Sequence, residues 1–168
     1  NALIKTMEEK SVRTIFLQGL LASATPMFFA SIVKRWQKTV LFVLNDNDEA
    51  GYFYNDLKTI AMPDNANEQT AEVLFFPSSY RRAVKYGQRD AGNEILRTEV
   101  LSHLSVINEE KTTSSLPLCI VTEPSALAEL VVAKHKLDEH TLSISVGQTI
   151  DLTETEKTLR SYGFQQVD

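Results

Sequence analysis

Four short apolar runs constrain this chain more than any other feature: Val12–Leu17, Val40–Leu44, Val73–Phe76 and Leu118–Val121. None shows the polar alternation of a strand with one wet face, so each reads as a strand buried on both faces. Between them, Pro26–Trp36, Asp48–Ile60 and Asn93–Ile107 carry apolar residues at helical spacing. Thr25 is placed to cap the first of these helices with Pro26 at its first helical position, and Asp48 to cap or charge the start of the second. Strand alternating with helix implies an α/β fold, a parallel sheet with helices on both faces.

Two polar stretches, Met62–Thr70 and Glu109–Leu116, read as exposed connectors. A short helix is expected from Pro124 through Leu130, after which the charged stretch Lys134–His140 reads as the edge of the domain. Leu142, Ile144 and Val146 alternate with Ser143 and Ser145 as in a half-exposed strand, and Gly147 turns the chain. A helix over Leu152–Tyr162 is expected to stop at Gly163. Asn1 and Ala2 read as an expression scar, since no initiator Met is present. The expected division is therefore 3–140 for one domain and 141–168 for the opening of a second, cut short.

Composition limits what such a chain can do. With 168 residues, 43% apolar and 23% charged, it is suited to one sizeable core and argues against disorder. Lys plus Arg total 17 against 22 for Asp plus Glu, a formal charge of −5, which disfavours a broad phosphate-binding surface. Cys119 is the only cysteine, which excludes an intramolecular disulfide and a multi-cysteine zinc site and fits a reducing, cytoplasmic setting. The segment Thr14–Val33 has no charge and the length of a membrane span, but Gln18, Gly19, Ser23, Thr25, Pro26 and Ser31 break it into strand, turn and helix. No membrane partner is expected.

The most informative loop is Leu17–Pro26, at the position where a phosphate loop joins strand to helix in nucleotide-binding α/β proteins. Set against G-x-x-x-x-G-K-[ST], Gly19 keeps the first glycine, Ala22 and Ser23 fall at variable positions, Ala24 replaces the second glycine, Thr25 the lysine and Pro26 the hydroxyl residue. No lysine reaches a phosphate, no hydroxyl ligates Mg²⁺, and Pro26 has no N–H to offer. A degenerate phosphate loop and no bound cofactor are the expectation. Asp46, Asp48 and Glu49 could hold Mg²⁺ at a strand end, but acidic residues at a helix start already have a capping role. His103, His135 and His140 do not form a metal pair on one helical face, no hydrolytic constellation can be assembled, and Cys119 reads as a buried inert thiol. No metal and no catalytic residue are expected. Tyr80, Arg81, Arg82, Lys85, Tyr86 and Arg89 form the one local basic and aromatic cluster. It could contact phosphates and stack bases, or be an ordered loop that meets another domain.

Taken in order, these segments resemble the amino-terminal region of bacterial transcription-repair coupling factors, the Mfd family. The resemblance runs through Gly19–Ile32, Val40–Asn45 with Asp48 and Ala50 to Leu57, Phe76-Pro77, Asp90, and the helix with Glu94, Leu96 and Leu101. It continues through Ile120-Val121-Thr122, Leu127, Val146-Gly147-Gln148 and Tyr162-Gly163-Phe164 to Val167-Asp168, so it spans about Thr14 to Asp168. It implies a P-loop-NTPase-like domain similar to domain 1a of the excision-repair protein UvrB, with a decayed phosphate loop, followed by the start of domain 2. Pro77–Gly92 is too short for the long DNA-clamping hairpin of UvrB. The implied role is a non-catalytic scaffold of the module that recruits UvrA, through domain 2, where RNA polymerase has stalled at a lesion. ATP-driven translocation on DNA and polymerase binding would belong to other domains of the parent protein. Two rivals are a UvrB-like nucleotide-dependent repair enzyme, opposed by Thr25 in place of lysine, and a nucleic-acid-binding α/β module using Tyr80–Arg89, opposed by the acidic charge.

Overall fold

The computed structural model describes residues 2–36, 38–61, 71–80, 89–110 and 116–164. The expected connector Met62–Thr70 and most of the second connector lie outside these residues. Ten elements follow in chain order: α1 (Ala2–Glu8), α2 (Ala24–Trp36), β1 (Val40–Val43), α3 (Asn47–Ala61), β2 (Glu72–Phe76), α4 (Ala91–Glu110), β3 (Leu118–Thr122), α5 (Pro124–Ala128), α6 (Lys134–Glu139) and α7 (Leu152–Ser161). The strands form one parallel sheet in the order β1-β3-β2, with Val40 beside Cys119 and Glu72 beside Leu118 at the start of each ladder. The fold is α/β, as expected. Among the described residues no helix is long and apolar enough to cross a membrane.

Central position explains β3, whose five residues are all buried because it has a strand on each side and a helix layer over each face. On one face, Ala50, Phe53, Leu57 and Ala61 recur along one stripe of α3 and meet Phe42, Val73, Cys119 and Val121. Phe29 of α2 joins them, edge-on to Phe42 at 5.2 Å. On the other face, Val100, Leu101 and Leu104 of α4 meet Leu74, Phe76, Leu118 and Ile120. Leu57 is 1% exposed, so truncating it to alanine would cost about 2–5 kcal/mol through lost burial and an unfilled cavity.

Several expectations are corrected. Val12–Leu17 is not a strand: among the described residues it has no sheet partner, and Phe16 is 86% exposed. An apolar run satisfies the side-chain requirement of a buried strand, but a strand also needs a neighbour's backbone, and β1 pairs only with β3 among the described residues. Val40–Val43 is for the same reason not buried on both faces; Val40 and Phe42 turn toward α3, while Leu41 and Val43 are exposed. Helix α2 begins at Ala24, so Thr25 is inside it and not its cap, and Pro26 is not its first residue. Proline remains tolerated because the first turn makes no intrahelical use of that N–H.

The chain separates into two compact units, 1–130 and 131–168. The second contains α6, in the stretch expected to be only a polar domain edge, and α7, which Asp151 caps by accepting from the N–H groups of Thr153 and Glu154 at 2.8 and 3.1 Å. Leu142, Ile144 and Val146 form no strand; they are exposed and without a sheet partner among the described residues. The second unit has no buried residue among those described, and its internal ties include Tyr162 donating to the Glu139 carbonyl at 3.1 Å.

Candidate functional site

The Leu17–Pro26 loop, expected to be a degenerate phosphate loop, lies on the surface of the first unit, with Leu21 79% exposed. Gly19 has φ of 88° and Ala22 a φ of 47°, so the loop makes two left-handed kinks before α2. Its donors are then used at short range. Ala24 N–H bonds to the Leu21 carbonyl at 3.0 Å, Thr25 N–H to Ala22 at 3.1 Å, and Met27 N–H to Ser23 at 3.3 Å. Pro26, between them, has no N–H. A phosphate loop works by aiming unpaired amides at an anion, and the amides from Ala24 through Met27 are either paired or missing.

The acidic group after β1 is organised as a helix start. Asp46 accepts from the N–H of Glu49 at 2.9 Å, and the Glu49 carboxylate reaches back to Asn45, to its N–H at 3.2 Å and its side-chain amide at 2.6 Å. Asp46 is the cap, and Asp48 adds charge to the first turn, the other role expected for it. Among the described residues no group of three or more His, Cys, Asp or Glu is arranged to hold a metal ion. His103 lies 3.4 Å from Glu72, and His140 stacks loosely on Tyr162 at 5.4 Å. Cys119 is fully buried in β3, and burial pushes its thiol up to about 12, so it stays protonated and unreactive in the folded chain.

Of the basic and aromatic cluster, Arg81, Arg82, Lys85 and Tyr86 lie outside the described residues. Its two ends are described and they meet: Tyr80 and Arg89 form an antiparallel bridge, and Asp90 N–H bonds to the Ser79 carbonyl at 2.8 Å. Ser79, Tyr80, Arg89 and Asp90 thus form a closed neck after β2. Asp90 also starts α4, its carboxylate accepting from Gly92 and Asn93 N–H at 2.9 and 3.2 Å.

Beneath this neck is the most concentrated polar arrangement in the first unit, at the carboxyl ends of β2 and β3, where open parallel sheets place their functional crevices. Arg97 of α4 is 5% exposed; its Nη1 donates to the carbonyls of Pro77 at 2.8 Å and Ala126 at 3.3 Å, and its guanidinium lies over the Phe76 ring at 4.1 Å. The same nitrogen is 3.4 Å from the Glu129 carboxylate at the end of α5. Ser78 donates its hydroxyl to Glu129, and Ser79 N–H reaches both carboxylate oxygens at 3.1 and 3.0 Å. Asn93 donates to the Ser78 carbonyl at 2.8 Å and Thr122 to that of Phe76 at 2.7 Å. Burial alone would raise the Glu129 carboxyl, but the bonds from Ser78 and Ser79 and the Arg97 charge outweigh it and hold the group below its ordinary value.

Sequence reasoning passed over Ser78, Ser79, Arg97 and Glu129. One signal was present: Arg97 falls on the apolar stripe of its helix, in line with Val100, Leu101 and Leu104, where a charge needs a buried partner. Neither a family model nor a curated protein nor a solved structure matches this chain.

Proposed function

We propose that this chain is the UvrB-like amino-terminal region of a transcription-repair coupling factor. In this reading it is a non-catalytic, cytoplasmic scaffold of the module that recruits UvrA where RNA polymerase has stalled. The family reading is supported by the order and spacing of the segments from Gly19 to Asp168. The α/β sheet of three parallel strands accords with a domain 1a of P-loop-NTPase descent, and the start of α2 supports the loss of nucleotide chemistry. That start is the observation on which the non-catalytic reading rests: no lysine, no N–H at Pro26, and neighbouring amides already bonded to Leu21, Ala22 and Ser23. Contacts to UvrA are assigned to domain 2, and those to polymerase and DNA to other domains of the parent protein.

The test is a titration of the chain with ATP and Mg²⁺, followed residue by residue by NMR. No shift at Gly19–Pro26 is expected up to a ligand concentration on the order of 1 mM, which bounds binding to weaker than about −4 kcal/mol. Saturable shifts at those residues would overturn the scaffold reading in favour of a nucleotide-dependent repair enzyme.

A further inference from the structure

We propose that Ser78 Oγ, Ser79 N–H and the Arg97 guanidinium form an oxyanion cradle that the chain fills with its own Glu129, and that this filling holds the neck of the Tyr80–Arg89 segment closed. The inference is independent of the family reading, because it rests on bonds within the first unit alone.

Donors of three kinds converge on one carboxylate. The Ser78 hydroxyl and the Ser79 amide bond to it directly, and Arg97 Nη1 stands 3.4 Å away. Arg97 Nη2 is buried without a hydrogen-bond partner, so the guanidinium has donor capacity that its present contacts do not use. Charge-assisted bonds of this type are the strong ones, and their planar, two-oxygen geometry suits a carboxylate or a phosphate. Glu129 is the C-cap of α5, next to the last residue of the first unit.

The link from cradle to neck runs through two consecutive residues. Ser79 is 7% exposed and gives its N–H to Glu129, while its carbonyl accepts from Asp90 N–H at 2.8 Å across the neck. Ser78 repeats the pattern: its hydroxyl donates to Glu129 and accepts from Tyr80 N–H at 3.3 Å, and its carbonyl is held by Asn93. Withdrawal of the carboxylate therefore removes an acceptor from two consecutive residues that hold the neck.

The experiment is amide hydrogen exchange on the whole chain, comparing wild type with Glu129→Ala. Exchange at Ser79, Tyr80 and Asp90 is expected to rise by about tenfold or more, the effect of losing a bond to a charged group, while Cys119, Ile120 and Val121 in β3 keep their protection. Sodium formate or inorganic phosphate on the order of 10 mM is then expected to restore protection in Glu129→Ala, and not in Glu129→Ala combined with Arg97→Lys. Sodium chloride at matched ionic strength is the control. Unchanged exchange at the neck, equal loss in β3, or failure of both anions to do more than chloride would each overturn the proposal. If Glu129→Ala does not fold, the isosteric Glu129→Gln serves: faster exchange confined to the neck supports the cradle, and wild-type exchange refutes it.

Discussion

The starts of α2 and α4 both follow a loop of the first unit, and they are built in opposite ways. At α2 the bonds reach three or four residues, from Ala24, Thr25 and Met27 back to Leu21, Ala22 and Ser23, and the loop is exposed. At α4 they reach across the fold: Asn93 to Ser78 spans 15 positions, Arg97 to Pro77 20, Arg97 to Ala126 29, and Ser78 to Glu129 51. A loop satisfied by its own turns keeps its shape without help from distant residues. One that joins three elements cannot lose a partner without leaving another buried and unpaired.

The comparison breaks most directly at Arg97. Replacing it with alanine strands the Pro77 and Ala126 carbonyls and the Glu129 carboxylate, and is expected to cost about 3–5 kcal/mol in urea unfolding, as for one partner removed from a buried pair. A loss below about 1 kcal/mol would show that the long-range network carries no more stability than the local one.

Acid should separate the two regions next. Because the folded Glu129 carboxyl lies below its ordinary value of 4.5, its stabilisation is present above that value and is lost as the pH falls through the folded one. Between about pH 6 and about pH 3, wild type should therefore lose more stability than Glu129→Gln, which has no such proton to gain. Parallel losses in the two chains would remove Glu129 from the account. The α2 loop offers the smallest effect. Ala22→Gly relieves a positive φ in an exposed turn and should raise the unfolding free energy by less than about 1 kcal/mol, since glycine's added freedom in the unfolded chain offsets part of the gain. A clear loss instead would mean that the Ala22 methyl makes a tertiary contact and that the loop is not self-contained.

What was legible in the chain follows from the range of the forces that write it. Val40–Val43, Glu72–Phe76 and Leu118–Thr122 could be read within a residue of their ends, and α3 by its Ala50, Phe53, Leu57 and Ala61 stripe, because burial periodicity is local. Val12–Leu17 has the same apolar signature and is no strand, since pairing requires a backbone that the run cannot supply. At Leu17–Pro26 the departures from a phosphate-loop pattern were legible, since Thr25 and Pro26 stand where that pattern has lysine and a hydroxyl residue. Ser78, Ser79 and Glu129 were not visible, because nothing near them in the chain distinguishes them from ordinary surface residues.

Local patterning alone specifies the α/β class, the position of the central strand around Cys119, and the absence of a lysine at Thr25 and of an N–H at Pro26. These depend on which side chains are present and on their spacing along a few turns. Only the tertiary structure decided that β1 lies at an edge with Leu41 and Val43 bare, and that Arg97 and Glu129 close a neck 51 positions apart in its longest bond. Strand order and charge pairing are set by which distant segments desolvate each other, and that information is absent from any single stretch of the chain.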